Sequence, residues 1–219
     1  MSSDWPAGKF GIIAADPPWH FRAGHSSRST ENHYPTMHID EIRALPVRDL
    51  AADDCALFLW TTPPFLALSL TVMEAWHFRY ISIAFTWLKL RKAHRDVLFI
   101  DQDVFIGLGH TTRKSSEVCL LGKRGKPKRQ DKNVHEIIIA ARREHSRKPE
   151  AFYERVPKLY PGPCVELFAR TTRPDWQPWG NETGKFNARP DHPALHPTGG
   201  NHRDHHPAPE SAAAPGIDP

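Results

Sequence analysis

Two consecutive prolines, Pro17 and Pro18, directly follow the apolar run Gly11–Ala15. Proline has no backbone N–H and its ring fixes φ, so a central strand cannot continue through it. The run therefore predicts a buried strand that ends at Asp16. Asp16 is thereby placed at the carboxyl end of a strand, which is where open α/β sheets bind their ligands.

Apolar runs recur along the chain and alternate with segments of helical spacing. They predict five further strands, at Ala56–Trp60, Tyr80–Trp87, Glu117–Leu121, Glu136–Ala140 and Cys164–Ala169. Three helices are predicted, at His38–Leu45, Phe65–Trp76 and Pro149–Leu159. This alternation is typical of an α/β fold in which a mainly parallel sheet carries helices on both faces. Lys89–Lys114 has no clear period and is predicted to be a long loop.

The chain is long enough for one ordinary domain, and a hydrophobic fraction of 39% permits a packed core. We predict a domain over residues 10–185, an N-terminal extension over 1–9 and a disordered tail over 186–219, which is rich in proline and histidine. The tail histidines have no acidic or cysteine framework around them, so no metal site is predicted.

The N-terminus lacks the pattern of a signal peptide, and the sequence has no apolar run of membrane-spanning length. Three widely spaced cysteines, Cys55, Cys119 and Cys164, form no CxxC pair. This spacing excludes a disulfide scaffold and a cysteine-rich zinc site. We therefore expect a soluble, reduced, cytoplasmic protein.

Positive charge is concentrated between Arg113 and Lys148, where twelve basic residues and four acidic ones give a local charge of +8 in a chain of net charge +4. The densest part is predicted to lie in and just beyond a turn between two strands and consists of Lys123, Arg124, Lys126, Lys128 and Arg129. Such a stretch is the expected footprint of a face that binds a polyanion such as nucleic acid. A solvated surface loop is an equally good explanation of the charge alone.

The Asp16-Pro17-Pro18-Trp19 motif combines a carboxylate, a rigid backbone and an aromatic ring. We expect the backbone carbonyls there to point outward and to be free to accept hydrogen bonds. A carboxylate and a carbonyl could then hold both hydrogens of a planar NH₂ group, such as the 6-amino group of adenine, with Trp19 stacked on the ring. Two acceptors favour a nitrogen whose lone pair can attack an electrophilic methyl group. The alternative is an exposed turn that simply ends a strand.

Further motifs follow in a fixed order: Tyr34-Pro35-Thr36-Met37, Leu57-Phe58-Leu59-Trp60, Thr86-Trp87-Leu88-Lys89, Glu117-Val118-Cys119-Leu120-Leu121-Gly122, Arg143-Glu144-His145-Ser146-Arg147-Lys148-Pro149, Glu166-Leu167-Phe168-Ala169-Arg170 and Trp179-Gly180-Asn181-Glu182. Together with the Asp-Pro-Pro-Trp motif they resemble the MT-A70 family of adenine methyltransferases over roughly residues 10 to 185, in its bacterial and phage branch. The resemblance implies a Rossmann-like fold of permuted order, in which the catalytic motif precedes the main cofactor strand.

The resemblance also implies a cofactor, S-adenosylmethionine, and residues that bind it. Asp16 and Lys148 match positions at the methionine end, Arg170 a position near the ribose, and Asn181 and Glu182 positions at the adenosyl portion. Glu166, Phe168 and Arg170 occupy alternate positions of the last predicted strand, so we expect them to share one face. Tyr34 is assigned to the nucleic-acid side, together with the five basic residues named above.

The resemblance implies methyl transfer from S-adenosylmethionine to the 6-amino group of adenine in DNA, with RNA as a possible substrate and S-adenosylhomocysteine as the product. Asp16, Pro17, Pro18 and Trp19 are the predicted catalytic residues, and no metal is required. The alternative is a non-catalytic nucleic-acid-binding subunit with a methyltransferase-like fold. Such a subunit would be expected to lose the acid or the aromatic residue of the motif, and this sequence retains both. A homodimer or heterodimer is compatible with either function.

Overall fold

The computed structural model describes residues 4–20, 36–91, 104–107, 111–144, 147–185 and 187, all within one compact unit, Met1–Asn187. The strands are β1 (Phe10–Ala15), β2 (Ala51–Thr61), β3 (Arg79–Leu90), β4 (Ser116–Arg124), β5 (Ile137–Ala141), β6 (Cys164–Leu167) and β7 (Trp176–Trp179). The helices are α1 (Ile39–Ala44), α2 (Val47–Leu50), α3 (Leu66–Ala75) and α4 (Glu150–Leu159), and a 3₁₀ turn at Pro63–Phe65 precedes α3. The predicted tail lies outside the described residues, apart from Asn187.

The seven strands form one sheet in the order β5-β3-β4-β2-β1-β6-β7. Strand β4 is antiparallel to its neighbours β2 and β3, whereas β1 pairs in parallel with β2 and β6, β3 with β5, and β6 with β7. Six strands therefore run in one direction and β4 in the other. The prediction of a mainly parallel α/β sheet is confirmed.

Helices cover both faces of this sheet, as predicted. Ile13 and Ala15 of β1 belong to one core cluster, which contains Ile42 of α1 and Trp76 at the end of α3. Ile12 and Ala14, which alternate with them, belong to the opposite cluster together with Phe152 of α4. Because successive strand residues point to opposite faces, the uninterrupted apolar run of β1 serves two cores at once.

The proline pair ends β1 where the sequence indicated. Strand β1 stops at Ala15, and Asp16 is the first residue beyond it. Ala15 lies opposite Leu59 of β2 and Leu167 of β6. Strand β6 ends at that level and β2 continues two residues further, to Thr61, so Asp16 stands at the carboxyl edge of the parallel strands between these two neighbours.

Several elements differ from the predictions. Strand β2 begins at Ala51, five residues before the predicted start, and α2 and β7 were not predicted. Strand β7 is four residues long and contains Pro178. It lies at the edge of the sheet, where a missing backbone N–H costs little, so a proline is tolerated there. The same proline is the reason why the sequence pattern did not predict a strand.

The predicted loop Lys89–Lys114 and the predicted basic turn both begin later than expected. Lys89 and Leu90 belong to β3, and Gly122, Lys123 and Arg124 belong to β4. Long-range pairing extends both strands, because Leu88 lies opposite Ser116 and Arg124 lies opposite Cys55. The turn itself comes at Gly125, whose φ of 64° suits glycine. A Cβ atom at this position would collide with the carbonyl of Asp53.

The last predicted strand is shorter than the pattern suggested. Strand β6 ends at Leu167, and Phe168 adopts a left-handed backbone with φ of 64°. The prediction that Glu166, Phe168 and Arg170 alternate along one strand and share one face is therefore wrong. A bulky residue in this conformation is uncommon, and such outliers are often found at binding sites.

The outer edge of β5 is covered by a side chain of α4. Arg155 donates hydrogen bonds to the carbonyls of His135 and Ile137, at 2.9 and 2.8 Å. The side chains of Ile137 and Ile139 on the same strand are exposed. The sheet therefore has an apolar edge strand whose outward carbonyls are partly engaged.

Candidate active site

Asp16 is held by contacts on two sides of the strand end. Its backbone N–H donates to the carbonyl of Leu167 at 3.4 Å. Its carboxylate accepts a hydrogen bond from the ammonium of Lys148 at 2.6 Å, while the Asp16 side chain is 20% exposed. The group predicted to be catalytic is thus fixed in position and still reachable from solvent.

Lys148 is buried between two carboxylates. Besides Asp16, its ammonium lies 3.2 Å from Glu117, and its side chain is 4% exposed. Burial disfavours the charged form, but the two carboxylates outweigh burial and raise the pKa of Lys148 above its ordinary value. An ammonium has three N–H donors, so two carboxylate partners leave a third donor for a ligand.

Glu117 is a site residue that sequence reasoning missed. It lies near the start of β4 and contacts both Lys89 and Lys148. Burial opposes its ionisation, but these two lysines outweigh burial and lower the pKa of Glu117 to about 2. The acid at the start of an otherwise apolar strand was the available signal. Its meaning depended on the antiparallel direction of β4, which brings that end of the strand to the catalytic edge.

The carbonyls of the two prolines are not free, contrary to expectation. The Pro17 carbonyl accepts from the N–H of Trp19 at 2.9 Å, and the Pro18 carbonyl accepts from the N–H of Met37 at 2.9 Å. The prolines lack N–H groups, but the chain folds back and supplies donors from elsewhere. A carbonyl oxygen has two lone pairs, so each can still accept one further hydrogen bond.

Trp19 is packed into the core and is 8% exposed. Its ring stacks on Phe65 at a centroid distance of 5.7 Å, and its indole N–H donates to the carbonyl of Trp60 at 3.3 Å. The ring therefore anchors the motif to β2 and to the 3₁₀ turn in this structure. Stacking of adenine on Trp19 stays a prediction.

A small pocket of about 20 Å³ lies beside Asp16 and brings together predicted residues from three parts of the chain: Asp16, Lys148, Glu166, Phe168 and Arg170. Arg147, Tyr153 and Arg173 also line it and were not predicted. Phe168 and Arg170 reach the pocket because the chain turns at Phe168. The four cations and two carboxylates of the lining favour a ligand that carries a negative group.

Glu166 is a buried carboxyl group of this pocket. Tyr153 donates a hydrogen bond to it at 2.6 Å, and Arg173 lies 3.2 Å away. Burial, assisted by the charge of Asp16, outweighs these two favourable partners and raises the pKa of Glu166 to about 7. Arg173 also stacks on the Tyr153 ring at 3.4 Å, which fixes both side chains.

A second, larger pocket, of about 270 Å³, shares Phe168 with the first and is lined by Pro18, Trp179 and Asn181 among others. Trp179 packs edge-on against Phe168 at 5.6 Å, and Trp5 packs against Trp179 at 4.6 Å. Residues before β1 thus support a wall of this pocket. Glu182 lies close by and pairs with Arg170 at 3.8 Å.

The amino-acid sequence matches the family model of MT-A70 over residues 10–182. This span contains all seven strands and both pockets. The chain belongs to the MT-A70 family.

Individual relatives agree with this assignment. The chain is similar to the Type II methyltransferase M.MunI of Mycoplasma sp, with 33% identity over 198 residues that cover 81% of this chain and 79% of that protein. It is also similar to the N(6)-adenosine-methyltransferase MT-A70-like protein of Drosophila melanogaster, with 31% identity, and to the N(6)-adenosine-methyltransferase catalytic subunit METTL3 of Homo sapiens, with 30% identity. Each of these two matches covers 80% of this chain and 27% or 28% of the eukaryotic protein. The chain therefore spans about a quarter of their length.

In this member of the MT-A70 family, the predicted basic residues do not lie beside Asp16. Lys123 lies opposite Ala56, which pairs with Ile12 in the middle of β1. Arg124 is seven residues beyond Glu117 along β4, a distance of about 23 Å at the usual rise of a strand. Lys126, Lys128 and Arg129 are exposed beyond that end. Their role in binding nucleic acid stays a prediction, and any contact they make is remote from Asp16.

Other predictions meet the structure only in part. Tyr34 lies outside the described residues. The three cysteines are buried and unpaired. Within the described ranges, the structure shows no group of three or more potential metal-ligating side chains. No helix in those ranges is long and apolar enough to cross a membrane.

Proposed function

We propose that this protein transfers a methyl group from S-adenosylmethionine to the 6-amino group of adenine in DNA. The observation that carries the proposal is Asp16, a half-buried carboxylate at the carboxyl end of β1, held by Lys148 beside a pocket rich in cations. Membership of the MT-A70 family supports the choice of adenine, because relatives are named adenosine methyltransferases. The similarity to a Type II methyltransferase over most of both chains supports DNA as the polymer.

The residues of the two pockets fit the chemical groups of S-adenosylmethionine. The third N–H of Lys148 and the guanidinium groups of Arg170 and Arg173 suit a carboxylate. Asp16 and Glu166 suit an ammonium. Phe168 and Trp179, between and beside the pockets, suit the flat face of an adenine ring. S-adenosylmethionine, when bound, supplies an electrophilic methyl group.

Asp16 and Pro17 then activate the acceptor amine. The Asp16 carboxylate accepts a hydrogen bond from one N–H of the 6-amino group, and the remaining lone pair of the Pro17 carbonyl accepts from the other. Two acceptors draw the nitrogen towards a tetrahedral shape and concentrate its lone pair for attack. Transfer would form the N–CH₃ bond as the S–CH₃ bond breaks, with S-adenosylhomocysteine as the leaving group and the surplus N–H proton released to solvent. Because Lys148 fixes Asp16, the orientation exists before the substrate arrives, so positioning supplies most of the catalysis.

The substrate adenine must leave the base stack to reach Asp16. A duplex has to release the nucleotide by flipping it, whereas a single strand has only to unstack the base. Asp16 stands at a strand end beside an open pocket, which suits a single extruded base. We therefore expect the same residues to serve either form of substrate.

The test is transfer of tritium from labelled S-adenosylmethionine to adenine-rich DNA and RNA oligonucleotides, followed by digestion and mass spectrometry. We expect N6-methyladenine in DNA with the unaltered protein and none with Asp16→Asn, which keeps the shape of the side chain. Label in RNA alone would overturn the choice of DNA. Binding of oligonucleotides without any transfer would instead favour the non-catalytic subunit.

A further inference from the structure

Arg142 directly follows β5 and stacks on an aromatic ring. Its guanidinium carbon lies 3.3 Å from the centroid of the Phe105 ring. Its Nε is buried and has no hydrogen-bond partner. Among the residues that the structure describes, no carboxylate pairs with Arg142. A guanidinium nitrogen that is buried without a hydrogen-bond partner is unusual in a folded protein.

The neighbouring cations are all paired. Arg143 lies 3.0 Å from Glu150, Arg147 lies 3.3 Å from both Glu144 and Glu150, and Lys148 lies between Asp16 and Glu117. Burial lowers the pKa of the Arg142 guanidinium. Within the described ranges, Arg142 thus differs from the other cations of its segment in having no anionic partner.

Backbone contacts place Arg142 at the catalytic edge of the sheet. Its N–H donates to the carbonyl of Leu90 at 3.1 Å, and the N–H of Phe105 donates to the carbonyl of Lys89 at 2.8 Å. The side chain of Lys89 contacts Glu117, which in turn contacts Lys148 beside Asp16. The Phe105–Arg142 pair is therefore joined to the candidate active site through two side chains.

We propose that Arg142, oriented by Phe105, binds a backbone phosphate of the nucleotide next to the target adenine. This inference rests on the proposed function, which brings a nucleic acid to this edge. A guanidinium offers a planar fork of donors that matches a phosphate, and stacking on a ring fixes the plane of that fork. The phosphate supplies an anion where none of the described residues does.

The position of the pair suits a flanking nucleotide rather than the adenine itself. Asp16 and the pocket lie on the far side of Lys89 and Glu117 from Arg142. A base held at Asp16 leaves its neighbours in the strand to cross the surface near β3 and β5.

The experiment measures binding of a single-stranded, adenine-containing DNA oligonucleotide by fluorescence anisotropy over a salt series. We expect Arg142→Gln to weaken binding about tenfold, as for loss of a charge-assisted hydrogen bond. The salt slope should become shallower by about 0.7, the contribution of one phosphate contact in a single strand. Lys158→Gln is the matched control, because it removes one exposed positive charge at the far end of α4. It should change neither quantity.

Oligonucleotides with a single neutral methylphosphonate locate the contact without any protein variant. We expect the unaltered protein to lose affinity when one linkage beside the target adenine is neutralised, and Arg142→Gln to be insensitive at that linkage. Equal sensitivity of both proteins at every linkage would overturn the phosphate site, as would equal weakening by Arg142→Gln and Lys158→Gln.

Methyl transfer by the unaltered protein is measured on the same oligonucleotides, and calorimetry measures binding of S-adenosylmethionine. If the unaltered protein transfers methyl groups but Arg142→Gln binds the oligonucleotide as tightly as the unaltered protein does, the phosphate site is overturned and the proposed function is not. If the unaltered protein binds the oligonucleotide through Arg142 but transfers no methyl group, the proposed function is overturned and the phosphate site is not.

Discussion

The ammonium of Lys148 lies 2.6 Å from the carboxylate of Asp16, although 132 positions separate the two residues in the chain. Asp16 is fixed by the end of β1, and Lys148 by Pro149, which caps the start of α4. A cation at a helix N-terminus is mildly unfavourable, and two carboxylates offset that cost here. The contact therefore joins the catalytic motif to the second half of the chain.

Removal of the Asp16 carboxylate should abolish catalysis and leave the fold intact. We expect Asp16→Ala to lower the rate of methyl transfer at least tenfold, a loss of about 1.4 kcal/mol of transition-state stabilisation. Lys148 keeps Glu117 as a partner, so thermal unfolding should change little. Asp53→Ala, at the far end of β2, serves as the control. Retention of more than about a tenth of the rate would show that Asp16 does not hold the reacting amine.

Removal of the shared cation should destabilise the protein. Lys148→Met leaves Asp16 and Glu117 close together without their common partner, and we expect a loss of about 3 to 5 kcal/mol in the free energy of unfolding. Urea denaturation measures the loss. The double variant Lys148→Met, Asp16→Asn should recover part of it, because the carboxylate that has lost its Lys148 partner is gone. No recovery in the double variant would mean that Lys148 contributes by packing rather than by charge.

The sequence predicted those features that depend on local chemistry. Pro17 marked the end of β1, and the apolar runs marked six of the seven strands. Features that depend on pairing between distant segments were missed. The period of the last strand could not show that Phe168 turns out of it, and nothing local showed that β4 runs antiparallel. Because β4 is antiparallel to its neighbours, Glu117 lies beside Lys148 and Arg124 lies at the opposite edge of the sheet.

Stability should depend on pH through Glu166. The pKa of its carboxyl group rises from an ordinary 4.5 to about 7 in the folded protein. Between pH 4.5 and about pH 7 the folded state binds more protons than the unfolded state. The free energy of unfolding therefore falls as pH rises through this range. The penalty reaches about 3 kcal/mol above pH 7.

Glu166→Gln should remove this dependence. We expect the free energy of unfolding of the unaltered protein, relative to the variant, to decrease by up to about 3 kcal/mol between pH 4.5 and pH 8. Urea titrations at several pH values measure this difference, and effects of other groups cancel in it. A difference that stays constant with pH would contradict the assignment of a raised pKa to Glu166.

The basic residues beyond β4 should matter for long nucleic acids and not for short ones. Arg124, which precedes them, lies about 23 Å along β4 from Glu117, so a trinucleotide bound at Asp16 is too short to reach that end of the strand. We expect the triple change of Lys126, Lys128 and Arg129 to glutamine to weaken binding of a long duplex, whatever its sequence. The salt slope should become shallower by two to three units, close to one per phosphate contact.

The trinucleotide is the internal control for that prediction, and binding of S-adenosylmethionine should be unchanged. Affinity measured across a salt series decides the outcome. A long duplex that binds the triple variant with an unaltered slope would make this segment a solvated turn.

Arg155 has a consequence for how the protein behaves at high concentration. An edge strand that exposes Ile137 and Ile139 is a template on which another chain can add a strand, and such edges initiate aggregation. The guanidinium of Arg155 occupies two of the outward carbonyls that an incoming strand would need. Arg155→Ala should therefore self-associate at concentrations where the unaltered protein stays dispersed, as light scattering would reveal. Arg155 thus opposes aggregation from a position outside the candidate active site.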